Sequence, residues 1–188
     1  MNEIIKKSLQ THNEALGLLE KNITAIEEIA SLLISTLKNK GKILFMGNGG
    51  SAADAQHLAA EFVGRFKKNR APLSAIALST DTSILTAVGN DFGFEEVFTR
   101  QIEALGKAGD AAVGISASGN SKNIIAAIKK AKQLGIKTIG FTGKKEGELN
   151  KITDIALSVS SSDTARIQEM HILAGHIICE IVETQIYP

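Results

Sequence analysis

Apolar residues recur at helical spacing at the start of the chain and in short unbroken runs after it. Ile4, Ile5, Leu9, Leu16 and Leu19 mark one helix over residues 2–20. Ile26, Ile29, Leu32, Leu33 and Leu37 mark a second over 23–38, with Asn22 as candidate N-cap. Lys40-Gly41 then supplies the glycine expected just past a helix end. From Gly41 the texture changes. Five short apolar runs, at 42–46, 75–78, 111–115, 137–141 and 154–159, alternate with amphipathic stretches near 51–66, 81–88, 94–105, 121–134 and 164–186. Runs that are apolar on both faces belong to strands covered on both sides.

Alternating strands and helices predict an α/β protein: a three-layer, flavodoxin-like sandwich with a five-stranded parallel sheet, preceded by the two leading helices. By analogy with that architecture the strand order is 2-1-3-4-5. No proline- or serine-rich linker divides the 188 residues, so residues 1–188 read as one domain, with 1–40 helical and 41–188 the α/β core. The loops near 67–74 and 143–151 are polar and lysine-rich and read as solvated surface.

Composition narrows the function classes. With 21 Lys+Arg against 20 Asp+Glu the net charge is +1, which carries no electrostatic footprint for nucleic acid or an anionic membrane. One cysteine, Cys179, excludes an internal disulfide and fits a reducing compartment; it reads as a core filler. No apolar run reaches the length of a membrane span, and the first residues lack the apolar segment of a secretory signal.

Two strand–turn–helix junctions carry candidate chemistry. The first strand runs into Gly47-Asn48-Gly49-Gly50-Ser51 and the third into Ser116-Ala117-Ser118-Gly119-Asn120-Ser121. At the strand ends of an open α/β sheet, helix N-termini offer backbone N–H groups to an anion. Hydroxyls of Ser116, Ser118 and Ser121 with no following P-loop lysine suit a phosphomonoester, the alternative being a plain turn with serine caps. The first loop also fits Gly-x-Gly-x-x-Ala, a dinucleotide fingerprint. The acidic residue that reading needs about 20 positions on is missing, since the first candidate, Asp81, is a helix N-cap by position.

On the helix after the first loop, His57 and Glu61 stand four residues apart on one face. Such a pair can chelate a divalent metal, act as an acid/base couple, or be an ordinary surface pair. The last helix adds Gln168, Glu169, His171, His176 and Glu180 among apolar residues expected to be buried in the core or against another subunit. His12 reads as a surface residue.

Taken in order, these segments resemble the phosphoheptose isomerases of the sugar isomerase (SIS) domain class from end to end. The resemblance runs through the two leading helices, the stretch Gly47 to His57, Glu61 with Gly64-Arg65, Gly89 to Gly93, Gly114 to Ser121, and Arg166 to His171 with His176. It implies an SIS fold whose first two helices serve packing and oligomerisation. It also implies an aldose–ketose isomerase that converts sedoheptulose 7-phosphate to D-glycero-D-manno-heptose 7-phosphate through an enediol, toward activated heptose for bacterial surface polysaccharide.

The resemblance further implies a cytoplasmic, zinc-binding homotetramer with active sites between subunits. Under it Glu61 is the base and His176 the acid, and His57, Glu61, Gln168 and His176 are zinc ligands. Asn48, Gly49, Gly50, Asn90 and Asp91, with Glu61 and Gln168, bind the sugar chain, and Ser116, Ala117, Ser118 and Ser121 hold the phosphate. Ala117 stands where the family pattern leads one to expect threonine. One tension is visible: Gln168 and His176 are eight residues apart, about 12 Å along a regular helix and off one face. A non-catalytic SIS adaptor of the replication-initiator-associating type, or a sugar-phosphate sensor, is the competing class. Neither needs the His57, Glu61, Gln168 and His176 set.

Overall fold

The computed structural model of the protein describes residues 1–143 and 147–188. Two helices lead, α1 (Asn2–Leu19) and α2 (Ile23–Lys38). The rest alternates: β1 (Ile43–Gly47), α3 (Gly50–Val63), β2 (Ala75–Ala77), α4 (Thr82–Phe92), α5 (Thr99–Leu105), β3 (Ala111–Ser116), α6 (Lys122–Gln133), β4 (Lys137–Thr142), α7 (Glu148–Ile152), β5 (Ile155–Ser158) and α8 (Thr164–Ile186). The sheet is parallel throughout, in the expected order β2-β1-β3-β4-β5. Register aligns Phe45 with Val113 and Val113 with Ile139, so one row of side chains crosses the sheet on each face.

The period of two along each strand builds the three layers. Phe45, Val113 and Phe141 point to one face, where Ile29 and Leu33 of α2, Leu58 and Phe62 of α3, and Ile178 of α8 cover them. Leu44, Met46 and Ala112 point to the other, under Phe98, Ile102, Ile124, Ile128 and Leu149. All five residues of β1 and all six of β3 are buried, which is why both read as continuous apolar runs.

The boundaries depart from expectation in instructive places. Asn22 makes no capping bond; its side chain joins Leu18 O and Ser158 O and accepts from Ser158 N, tying the α1–α2 corner to β5. The left-handed residue after α2 is Lys40 (φ 61°), and Gly41 is needed because a Cβ there would meet Gly109 O. Asp81 caps α4 as placed, accepting from Ile84 N at 2.9 Å, a bond of about 1 kcal/mol. The expected loop at 143–151 contains α7, while 144–146 lie outside the described residues.

The apolar stripe of α1 is the largest difference. Ile4, Ile5 and Leu9 are exposed, and only Ala15 and Leu19 are buried. Helix α4 buries no residue at all, and Phe92 at its end and Phe94 beyond it are exposed. Among the described residues, no helix is long and apolar enough to cross a membrane.

Candidate active site

The two loops identified from sequence open on the same edge of the sheet, at the C-terminal ends of β1 and β3. The first turns sharply because Gly47 and Gly49 permit it. A Cβ on Gly47 would run into Ser51 O, and Gly49 sits at φ +56°. Helix α3 therefore starts within three residues of the strand.

The second loop keeps its hydroxyls together. Ser116 Oγ lies 2.8 Å from Ser121 Oγ and 3.3 Å from Ser118 Oγ. Ser121 holds the N-cap position of α6 but makes no side-chain cap bond, so its hydroxyl is not spent on the helix as a plain turn would require. A half-buried, reciprocal amide pair welds the loops: Asn48 Nδ2 donates to Asn123 Oδ1 and Asn123 Nδ2 to Asn48 Oδ1, both at 2.9 Å. Between them lies a cleft of about 240 Å³, lined by Ser116, Ala117, Ser118, Ser121, Asn48 and Gln168, with Ser51 and Thr164 behind. Backbone N–H groups at the start of α6 and clustered hydroxyls suit a phosphate monoester.

Helices α3 and α8 cross closely beside that cleft. Gly175 makes the approach possible, since a Cβ there would sit 2.5 Å from Leu58 Cδ2. The neighbours of those two residues are thereby brought face to face. His57 Nε2 is 2.9 Å from His176 Nε2 and 3.2 Å from Glu61 Oε1, and the ring of Phe66 stacks on His176 at 5.5 Å. One atom from each of His57, Glu61 and His176 falls within 4.8 Å of the others. Two imidazole nitrogens this close need a proton or a cation between them.

Zinc fits the trio. A tetrahedral ion held at about 2.0–2.1 Å spaces its donors by about 3.4 Å, and the observed separations of 2.9 and 3.2 Å are within half an ångström of that. Two nitrogens and a carboxylate oxygen are an accepted donor set with one position left open. Gln168 lies elsewhere on α8. Its amide packs over Gly50, where a Cβ would stand 2.6 Å from Nε2, and it lines the serine cleft two helical turns from His176.

Two expectations land differently. Asn90 and Asp91 are exposed at the end of α4, bonded to each other at 2.8 Å and not among the cleft's lining residues. His12 is not free surface, because its Nδ1 lies 2.7 Å from Glu169 Oε2. His171 is fully buried with Nε2 3.1 Å from Thr142 O; burial holds its pKa down at about 4, against the opposing pull of that bond, so the ring is neutral and donates. Cys179 is the core filler expected, its thiol pushed by burial to about 12.

Sequence reasoning passed over Asp54. It lies one turn before His57, has a buried oxygen, Oδ2, without a partner, and burial raises its pKa to about 6 although His57 pulls the other way. The i, i+3 spacing to His57 was the available signal. Ser51, Thr164 and Asn123 were also missed, and their contacts span too much sequence for local pattern to show.

Comparison with known proteins agrees with this geometry. The SIS domain family matches residues 10–143. A phosphoheptose isomerase of Helicobacter pylori (strain Shi470) is 56% identical over 184 residues, covering 96% of this chain and 94% of that protein. The structure of a phosphoheptose isomerase from Neisseria gonorrhoeae superposes with a TM-score of 0.92 at 44% identity, covering 97% of this chain and 98% of the other. One from Francisella tularensis gives 0.93 at 37% identity, with 97% of each covered. Likeness of this extent, on a chain that keeps both loops and the His–Glu–His trio, means that the protein belongs to the phosphoheptose isomerases of the SIS domain family.

Proposed function

We propose that this chain interconverts sedoheptulose 7-phosphate and D-glycero-D-manno-heptose 7-phosphate, feeding activated heptose for a bacterial surface polysaccharide. One observation carries the substrate reading: the spacing of the two centres. Ser51 in the cleft and His57 in the trio are six residues apart on α3, and Gln168 and His176 are eight apart on α8. At about 1.5 Å per residue the trio therefore lies about 9–12 Å from the phosphate cleft along the helix axes. An open seven-carbon chain with a terminal phosphate, built of bonds of about 1.5 Å, extends about 10 Å. A phosphate held by Ser116, Ser118, Ser121 and the backbone at Ala117 puts the first two carbons at Glu61.

The chemistry follows from those positions. Glu61 removes a proton from C1 of the ketose, leaving an enediol, and returns it to C2, so the carbonyl moves from C2 to C1. His176 passes the matching proton between the two oxygens. Asn48, Gly49 and Gly50 line the path of the sugar chain, and Gln168 stands at the cleft over Gly50. His57, Glu61 and His176 would hold zinc, with Gln168 as the remaining candidate ligand; the bound ion would supply positive charge beside the carbonyl oxygen. Fixing the phosphate 10 Å away keeps a flexible open chain in register.

The exposed apolar stripe of α1 and the uncovered α4 support a homotetramer with Asn90 and Asp91 delivered to a neighbouring subunit's site, in a cytoplasmic enzyme. An adaptor would have no use for the trio. The test is incubation with sedoheptulose 7-phosphate, following the aldose product, with metal analysis of the purified protein. Turnover is expected, with zinc that is lost in His57→Ala and His176→Ala. Absence of turnover in the metal-loaded protein would reject the isomerase reading, and zinc unchanged in both variants would reject the ligand set.

A further inference from the structure

The loop at 67–74, which reads as solvated surface from sequence, is clamped from beneath. Glu183 of α8 and Arg70 of the loop are each 2% exposed, with Arg70 Nε 2.8 Å from Glu183 Oε1. The Glu183 carboxylate also accepts the N–H groups of Phe66, Lys67 and Lys68 at 2.8–3.0 Å. Arg70 turns its remaining nitrogens on the end of α3: Nη2 donates to Glu61 O at 2.8 Å and Nη1 to Phe62 O at 2.9 Å.

Those two carbonyls belong to the last turn of α3, where helical acceptors lack intrahelical donors and the chain frays first. Glu61 is the third residue from the end of that helix. The same clamp holds the backbone of Phe66, whose ring is stacked on His176. One buried ion pair thus reaches the backbone of the base through one arm and the ring of the acid through the other.

We propose that Arg70 and Glu183 are positioning residues for the proton transfer, fixing the last turn of α3 at Glu61 and the Phe66 ring against His176. The inference rests on the reading of Glu61 and His176 as base and acid. A positioning role differs from a purely structural one in what it moves: rate at saturating substrate, and not substrate affinity, because neither Arg70 nor Glu183 is among the described residues that line the serine cleft.

Arg70→Lys keeps the charge facing Glu183 and loses the fork that reaches Glu61 O and Phe62 O. Asp110→Asn is the control, since it disrupts a comparably buried ion pair with Lys42 at the opposite edge of the sheet. Both variants are compared with wild type at a temperature where circular dichroism shows all three folded. Arg70→Lys is expected to lower kcat about 10- to 100-fold with KM within about twofold, and to move the His176 ring proton resonance as the Phe66 ring shifts. Asp110→Asn is expected to change neither.

Phe66→Leu, which removes no charge and keeps the backbone N–H bonded to Glu183, tests the second arm and stays informative if Arg70→Lys does not fold. It is expected to lower kcat with KM kept. Folded Arg70→Lys with wild-type kcat, unchanged kcat in Phe66→Leu, or equal losses in Arg70→Lys and Asp110→Asn would each overturn the proposal. A wild type without turnover would instead strike the isomerase reading, before any variant is compared.

Discussion

The two edges of the parallel sheet handle charge in opposite ways. At the N-terminal edge, every carboxylate oxygen of Asp110 and one of Asp154 is spoken for by nearby donors. Asp110 accepts from Lys42 N, Lys42 Nζ and Lys107 N, and Asp154 from Thr138 N and Thr138 Oγ1 with Lys132 alongside. For Asp154 burial alone would raise the pKa, but the Thr138 bonds and Lys132 outweigh it and hold the carboxyl below its ordinary range. At the C-terminal edge, Asp54 Oδ2 is buried without a partner, two imidazoles crowd at 2.9 Å, and three serine hydroxyls face one another. One edge is satisfied by its own chain. The other is arranged to be completed by something else, which is how a fold keeps stability and chemistry apart.

The largest effect that separates the edges is His176→Asn, expected to cut turnover by about 10²- to 10⁴-fold with thermal unfolding little changed. Steady-state rates and a melting curve on the same sample read both. Asp110→Asn reverses the pattern: breaking a buried pair costs about 3–5 kcal/mol in denaturant unfolding, with kcat retained. Ser121→Ala is expected to raise KM about tenfold at constant kcat, since one hydrogen bond to a charged phosphate is lost. A pentose 5-phosphate, two carbons shorter than the distance between the two centres requires, is expected to turn over far more slowly than the heptose phosphate; a competition assay measures the ratio.

The smallest effect concerns acid. Burial would raise the Glu183 pKa, but the amides of Phe66, Lys68 and Lys67 and the Arg70 guanidinium overcome it and hold it at about 2, against 4.5 for a free glutamate. A depressed carboxylate stabilises the fold above its unfolded pKa. That contribution is expected to fade as pH falls from about 4.5 to about 2, and a Glu183→Gln variant should show a flatter acid limb in unfolding curves.

Much of this was legible along the chain. The strands, the layers and both phosphate-edge loops follow from apolar runs and glycine–serine turns, because those signals are local, while the strand order follows by analogy with the architecture. His57 and Glu61 were visible as an i, i+4 pair for the same reason. The approach of His176 to them was not, since it depends on Gly175 meeting Leu58 across 117 residues of sequence. Arg70, in a loop that reads as solvated surface, meets Glu183 across 113 residues, and neither carries a local sign of its burial. The stripe of α1 was read correctly as apolar, but periodicity does not say whether a helix buries its face in its own chain or elsewhere.

The account stands on Glu61 as the acceptor of the substrate proton, and hydrogen exchange tests that most directly. Sedoheptulose 7-phosphate is incubated in heavy water with wild type and with Glu61→Gln, and deuterium at C1 of the recovered ketose is read by NMR. Wild type is expected to wash deuterium in while Glu61→Gln, still able to bind inorganic phosphate, incorporates none above background. Incorporation by Glu61→Gln at the wild-type rate would contradict the account.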